Sequence, residues 1–170
     1  MASILTTLGL QGAGPLTPPP SHAAGYVVFH FLFAYAVVAS RFPKIYYGID
    51  HNVSPREDLV KYGPKAVQSG KITQEQLNML KRIESTHANS IENFPLFVGA
   101  MVWAHVAGLT TTEINASALA YTVVRVAYAA AYILVDSVEL SRLRGLCWWV
   151  GNVVCLRLFW IGGTAINSKL

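Results

Sequence analysis

Apolar residues collect in four long runs, roughly 23–40, 91–109, 114–135 and 146–166, separated by polar stretches dense in turn-forming residues. Each run is near the ~20 residues a helix needs to cross a hydrocarbon core. None is wholly apolar, because His30, Arg125 and Arg157 interrupt three of them. The one long polar connection, residues 44–72, is rich in Gly, Pro, Asp, Asn and Ser. Arg41, Phe42 and Pro43 close the first helix, with a snorkelling cation followed by a proline. Ser54, Pro55 and Glu57 have the order of a helix start, and Thr73 with Gln76 repeats that logic, so the second helix starts near Gln74. Running to about residue 109, it has about 36 residues and spans roughly 54 Å, more than a bilayer is thick. Its first four or five turns therefore project into water. Thr110 and Glu113 open the third helix, and residues 136–144 form the last turn before the fourth. The pattern predicts an all-α, integral-membrane four-helix bundle forming a single domain over residues 1–170, with an N-terminal tail over 1–22 and a polar loop over 42–73.

Residues 82–97 place polar groups on the threshold of an apolar helix. At about 100° per residue, Ser85, Asn89 and Glu92 fall about 60°, 20° and 80° behind Arg82, so one flank carries a cation, an amide and a carboxylate. His87 lies about 140° away, off that flank, where a packing or surface role is the plainer reading.

Composition agrees with the pattern: 53% of residues are apolar, 13% are charged and the mean hydropathy is +0.39, where soluble domains carry about 25% charged residues. The net charge of +4 raises nucleic-acid binding, but the distribution of the basic residues speaks against it. Arg41, Lys44, Arg56, Lys61, Lys65, Lys71, Lys81, Arg82, Arg142 and Arg144 share one side of a four-span arrangement, Lys169 lies on the other, and Arg125 and Arg157 are intramembrane. That is the positive-inside asymmetry, which puts residues 41–82 and 136–144 in the cytoplasm and both termini opposite. The N-terminal segment has no basic n-region, so the first apolar run reads as a retained signal anchor rather than a cleaved peptide. Cys147 and Cys155, eight residues apart on one helix, are about 12 Å apart and cannot bridge. The five histidines show no metal-ligand spacing, and no metal site, nucleophile elbow or phosphate loop is visible.

The chain resembles the MAPEG family, the membrane-associated proteins of eicosanoid and glutathione metabolism. The matching pieces are residues 82–97, with Asn89 and Glu92 followed by Phe94, Pro95, Leu96 and Phe97; Arg125, Tyr128 and Tyr132 in an Arg-x-x-Tyr-x-x-x-Tyr order; and Leu143 to Trp148 opening the fourth helix. The resemblance covers residues 74–160 best. It implies a homotrimer in the endoplasmic reticulum or another endomembrane, with glutathione bound between subunits near the cytoplasmic face. It further implies a glutathione transferase or peroxidase acting on a lipophilic small molecule. By position, Arg144 would stabilise the thiolate, while Arg82, Asn89, Glu92, Arg125, Tyr128 and Tyr132 would hold the rest of the peptide. Two alternatives share the fold: a non-catalytic membrane adaptor, and a glutathione-dependent isomerase. Many relatives carry arginine where this chain has Ser85, and some where it has Ala88, which favours the adaptor. The choice of Arg144 over Arg142 or Arg41 as thiolate partner stays open.

Elementary chemistry is consistent with such a site. Glutathione carries two carboxylates and one ammonium, so it needs several cations and an acid. An arginine favours the thiolate of a thiol whose pKa is about 8.5, and a helix start beneath Arg144 would act in the same direction. Arg125, Tyr128 and Tyr132 form one helical stripe. A buried Arg125 costs at least about 2.5–3.5 kcal/mol on insertion scales and needs a partner, for which Glu92 is the first candidate. Plainer readings stand beside these: a structural ion pair at Glu92, ordinary interhelical hydrogen bonds from the tyrosines, an interfacial belt at Trp148 and Trp149, and a snorkelling Arg41.

Overall fold

The computed structural model describes residues 3–14 and 16–169; positions 1, 2 and 15 of the expected N-terminal tail lie outside it. Regular structure among the described residues is helical throughout. After a short turn of helix, α1 (Ile4–Thr7), the first long helix begins as α2 (Ala23–Leu32). It widens into a π-turn at Phe33–Val37, breaks over residues 38–40 and resumes as α3 (Arg41–Tyr46). The expected stop at residues 41–43 is therefore a restart, which Pro43 permits because a proline in the first helical turn forfeits no intrahelical bond. In the π-turn the Val38 N–H bonds to Phe33 O at 3.0 Å, five residues back. That releases the Ala34 carbonyl, which accepts a hydrogen bond from His87 Nδ1 at 2.9 Å.

The polar connection folds into a 3-10 turn (Pro55–Glu57), α4 (Asp58–Lys61) and α5 (Gly63–Gln68). Ser54 precedes this start as expected but makes no side-chain cap bond. The connection has its own core: Ile49, Leu59, Ala66 and Ile72 pack on Leu77 and Leu80 from the next helix. Beneath it Lys44, 2% exposed, forms ion pairs with fully buried Asp58 at 3.5 Å and with Glu84 at 3.3 Å, and it donates to the Pro55 carbonyl. One lysine thus ties the end of the first helix to both the connection and the long helix that follows.

That long helix, α6 (Gln74–Val106), opens with the predicted capping box: Gln76 N–H donates to Thr73 Oγ1 at 3.1 Å, and Thr73 N–H to Gln76 Oε1 at 2.8 Å. Its 33 residues span about 50 Å. Helix α7 (Thr111–Leu134) opens with the same device at Thr110 and Glu113. Helix α8 (Val138–Asn167) starts eight residues before the expected boundary at 146, so the turn ahead of it is only residues 135–137. Arg142 and Arg144 are thereby helical, and Arg144 sits in the second turn, beyond the reach of the N-terminal dipole proposed to assist it.

Among the described residues three helices are long and apolar enough to cross a membrane: Ala23–Tyr46, Thr111–Leu134 and Val138–Asn167. Helix α6 falls short of the fourth crossing expected from the pattern, since Asn89, Glu92 and Asn93 sit in its apolar half. It nevertheless packs against both α7 and α8. Their common core joins Phe97, Met101 and Tyr121 to Cys155 and Leu158, with Ala100, Ala104 and Ala118 letting the backbones approach. Helices α6 and α8 also meet closely at Gly162, where an added Cβ would lie 2.6 Å from Trp103 Nε1, the atom that donates to Phe159 O at 3.0 Å.

The opposite end of the bundle is closed by the N-terminal segment. Fully buried Asn115 donates to the Gly9 and Pro20 carbonyls at 2.9 and 2.8 Å and accepts from His22 N–H at 2.9 Å. Lys169 reaches Ala107 O at 3.0 Å on the same side.

Two outcomes test this packing. Gly162→Ala is expected to lower the melting temperature in detergent through an overpacking cost of about 1–3 kcal/mol, and an unchanged melt would mean that Trp103 moves freely. Lys44→Met, which leaves Asp58 buried without its ammonium, is expected to cost about 3–5 kcal/mol. Hydrogen exchange should report this as lost amide protection at Leu59 and Ile72 while α7 and α8 keep theirs; retained protection there would show that the pair is dispensable.

Candidate functional site

The polar flank of α6 exists, but its members diverge. Arg82 donates through Nε to Ile133 O at 2.9 Å, tying the start of α6 to the end of α7. Asn89 turns inward: Arg125 Nη2 donates to its Oδ1 at 3.1 Å and to its backbone carbonyl at 3.4 Å, and Asn93 Nδ2 donates to the same carbonyl at 3.1 Å. Glu92 is exposed and makes no ion pair among the described residues. The partner of buried Arg125 is therefore Asn89 and not Glu92. Glu92 lies about 60° off the Asn89 face, enough to carry a carboxylate out of the α6–α7 seam. Arg125 is 3% exposed, its guanidinium lies 4.4 Å from the Tyr128 ring centroid, and its Nη1 has no hydrogen-bond partner among the described residues. Helix α8 passes alongside at Gly151, where an added Cβ would meet Arg125 Cδ at 3.6 Å, an ordinary van der Waals contact.

Toward the residue-135 end, α7 and α8 bring the other expected residues together. Tyr128 and Tyr132 meet edge to face at 5.6 Å, and the Arg144 guanidinium lies 4.5 Å over the Tyr132 ring, a cation–π contact. Arg142 is exposed and faces neither tyrosine ring. A hollow of about 160 Å³ is walled by Tyr128, Tyr132, Arg144 and Trp148. A second hollow, about 370 Å³, shares Trp148 and Trp149 with the first and is walled by Asn89, Glu92, Asn93 and Asn152. Five of the seven expected site residues thus line the two hollows, Tyr128, Tyr132 and Arg144 at one end and Asn89 and Glu92 at the other, with Arg125 buried behind them and lining neither. Arg82 stands apart at the ends of α6 and α7.

The sequence reading missed Trp148 as a wall of both hollows, and it missed Asn152 altogether. Arg144, Trp148 and Asn152 follow at i, i+4 and i+8, one stripe of a helix, and that spacing identifies the face. It also set aside His87, which borders a third cavity on the far side of Glu92, about 650 Å³ in volume and lined by Arg41, Lys44 and Arg56. The signal for His87 was hidden, because its placement depends on the π-turn in the first helix.

Chemically, the groove presents a half-buried guanidinium, two phenols, three amides and one free carboxylate between aromatic walls. That set matches in kind a small zwitterionic peptide with a thiol: a cation for a thiolate, an acid for an ammonium, and amides for peptide groups. It is short of cations for a ligand with two carboxylates, since Arg125 is committed to Asn89.

The Asn89–Arg125 contact makes a testable demand. Asn89→Ala removes the side-chain acceptor of a buried charge, leaving only the 3.4 Å contact to the backbone carbonyl, and is expected to cost about 1.5–3 kcal/mol. The double variant Asn89→Leu, Arg125→Met, which removes both partners, should melt above Asn89→Ala alone. A double variant no more stable than the single would show that Arg125 is held by something else.

Comparison with known proteins gives one positive result, a match of residues 20–164 to the model of the MAPEG family. No curated protein and no solved structure matches the chain.

Proposed function

The chain belongs to the MAPEG family, and from that premise we propose that it is a membrane-bound glutathione transferase, with peroxidase chemistry open to the same thiolate, that acts on a lipophilic electrophile as a homotrimer of the endoplasmic reticulum or another endomembrane. The observation that carries the reading is the gathering of Arg144, Tyr132 and Tyr128 at the mouth of one groove whose other end holds Asn89 and Glu92.

Glutathione, when bound, supplies a sulfur nucleophile whose thiol ordinarily titrates at about 8.5. Arg144, a cation half-buried where solvent screens less, stabilises the thiolate and so raises its fraction at neutral pH. Its stacking on Tyr132 fixes the guanidinium in place. Exposed Glu92 is free to accept an ammonium, and the Asn89 amide is oriented by Arg125 and Asn93. The terminal nitrogens of Arg82, whose Nε alone is committed to Ile133 O, are available to a carboxylate. The aromatic walls exclude water from the sulfur and admit an apolar co-substrate from the lipid.

The apolar half of α6 supplies the fourth crossing in this reading, and the end holding residues 41–82 faces the cytoplasm. Arg157 supports an oligomer: it is exposed on the single chain midway along α8, beside Leu156 at 53% exposure, where lipid would cost it at least about 2.5–3.5 kcal/mol. A neighbouring subunit removes that exposure. The adaptor reading keeps one specific support, since Ser85 and Ala88 are both exposed and bring no cation to α6.

The test is thiolate absorbance of glutathione titrated into the detergent-purified protein at pH 7. The wild type and Arg142→Ala are expected to give a saturating signal, and Arg144→Ala to lose more than about nine-tenths of it, the effect of a thiol returning from about 6.5 to its ordinary value of about 8.5. A wild type that neither binds glutathione by calorimetry nor yields thiolate leaves the adaptor.

A further inference from the structure

The 650 Å³ cavity lies where the first helix parts from α6, beneath the segment that carries Pro55 and Arg56. Toward the apolar halves of the two helices its wall is Tyr35, Ala39 and Ile91; its other end is lined by exposed Arg41, Arg56 and Glu92, with Glu84 and buried Lys44. It is larger than either hollow of the groove, and of the residues walling the groove only Glu92 also borders it.

Its three cations are not equivalent. Lys44 is buried and satisfied by Asp58, Glu84 and the Pro55 carbonyl. Arg41 pairs with Asp50 at 3.5 Å and donates to Asn52 Oδ1 at 2.7 Å. Arg56 is exposed and makes no hydrogen bond or ion pair among the described residues, yet its backbone is pinned on both sides. The preceding carbonyl accepts from Lys44, and Asp58, two residues on, is the buried partner of that same lysine. Burying Lys44 and Asp58 is costly, and what it fixes in space is the backbone that carries the one uncommitted guanidinium at the cavity rim. A guanidinium fork above a half-apolar hollow selects a planar oxyanion with an organic body, because its paired N–H groups match the two oxygens of a carboxylate.

We propose that this cavity binds an organic carboxylate and that Arg56 is the residue that holds it. The group has two sources: glutathione, whose carboxylates outnumber the groove's free cations, and a lipophilic acid entering from the bilayer. The glutathione case rests on the reading given above; the lipophilic acid does not.

Calorimetric titration of the full-length protein in nonionic detergent with glutathione, and separately with decanoate, tests the assignment. Arg56→Ala is expected to weaken binding of at least one of them by about ten- to a hundredfold, Arg56→Lys to restore part of the loss, and Lys65→Ala, an exposed cation of the same segment that does not line this cavity, to leave both unchanged. Which ligand responds identifies the source. The proposal is overturned if neither ligand binds, if Arg56→Ala binds both as the wild type does, or if Lys65→Ala weakens them equally, which would make the effect one of bulk charge. Loss of thiolate in Arg144→Ala with unaltered binding in Arg56→Ala would sink this assignment alone, whereas Arg56-dependent binding of decanoate with no glutathione binding would sink the enzyme reading alone.

Discussion

A guanidinium buried in an apolar helical bundle constrains everything around it. Arg125 cannot be hydrated where it lies, so α6 must present Asn89 to it and α7 sets the face of its own Tyr128 against it, while α8 passes alongside at Gly151. The first of these contacts fixes the rotation of α6 against α7. The groove inherits its shape from them: Asn89 is oriented because Arg125 holds it, Tyr128 is placed because its ring lies against the same charge, and Tyr132 and Arg144 follow one turn further along. A residue that never meets solvent thus sets the register of those that do.

The two ends of the bundle are built on different principles. At the far end, a neutral amide does the fastening: Asn115 ties down the N-terminal segment through two carbonyls and an N–H. At the end that carries the groove and the large cavity, charge does it, through Lys44 and Asp58 beneath a small apolar core of the connection's own. Neutral hydrogen bonds are indifferent to salt and pH, whereas a buried ion pair loses its partner when either group is neutralised. Responsiveness is therefore concentrated at the end where ligands would enter.

The helices were legible because their apolar periods are long and their starts are chemically marked; Thr73 and Thr110 cap where the sequence says they should. The start of α8 was not, because Glu139, Ser141, Arg142 and Arg144 are polar on every face and imitate a turn, although nothing in them breaks a helix. In the site, which residues share a stripe could be read from spacing, and Tyr128, Tyr132 and Arg144 do meet. The partner of Arg125 could not, since choosing Asn89 over Glu92 depends on about 60° of helix rotation that tertiary packing alone decides. Arg56 was illegible for a different reason: its significance lies in what its neighbours leave unpaired, and that is a property of the folded network and not of any motif.

The π-turn at Phe33–Val37 has an evolutionary corollary. It amounts to one residue inserted into the first helix, and removing that residue would close an ordinary helical turn while rotating everything after Val37 by about 100°. Lys44 would then swing from beneath Pro55, and the Ala34 carbonyl would no longer be offered to His87. The number of residues between Ala34 and Lys44 thus matters to this packing independently of their identity. Relatives that share the charged connection should tolerate many substitutions in this stretch but few changes of length, so single-residue gaps in alignments of the first helix would mark lineages in which the connection has been lost or rebuilt.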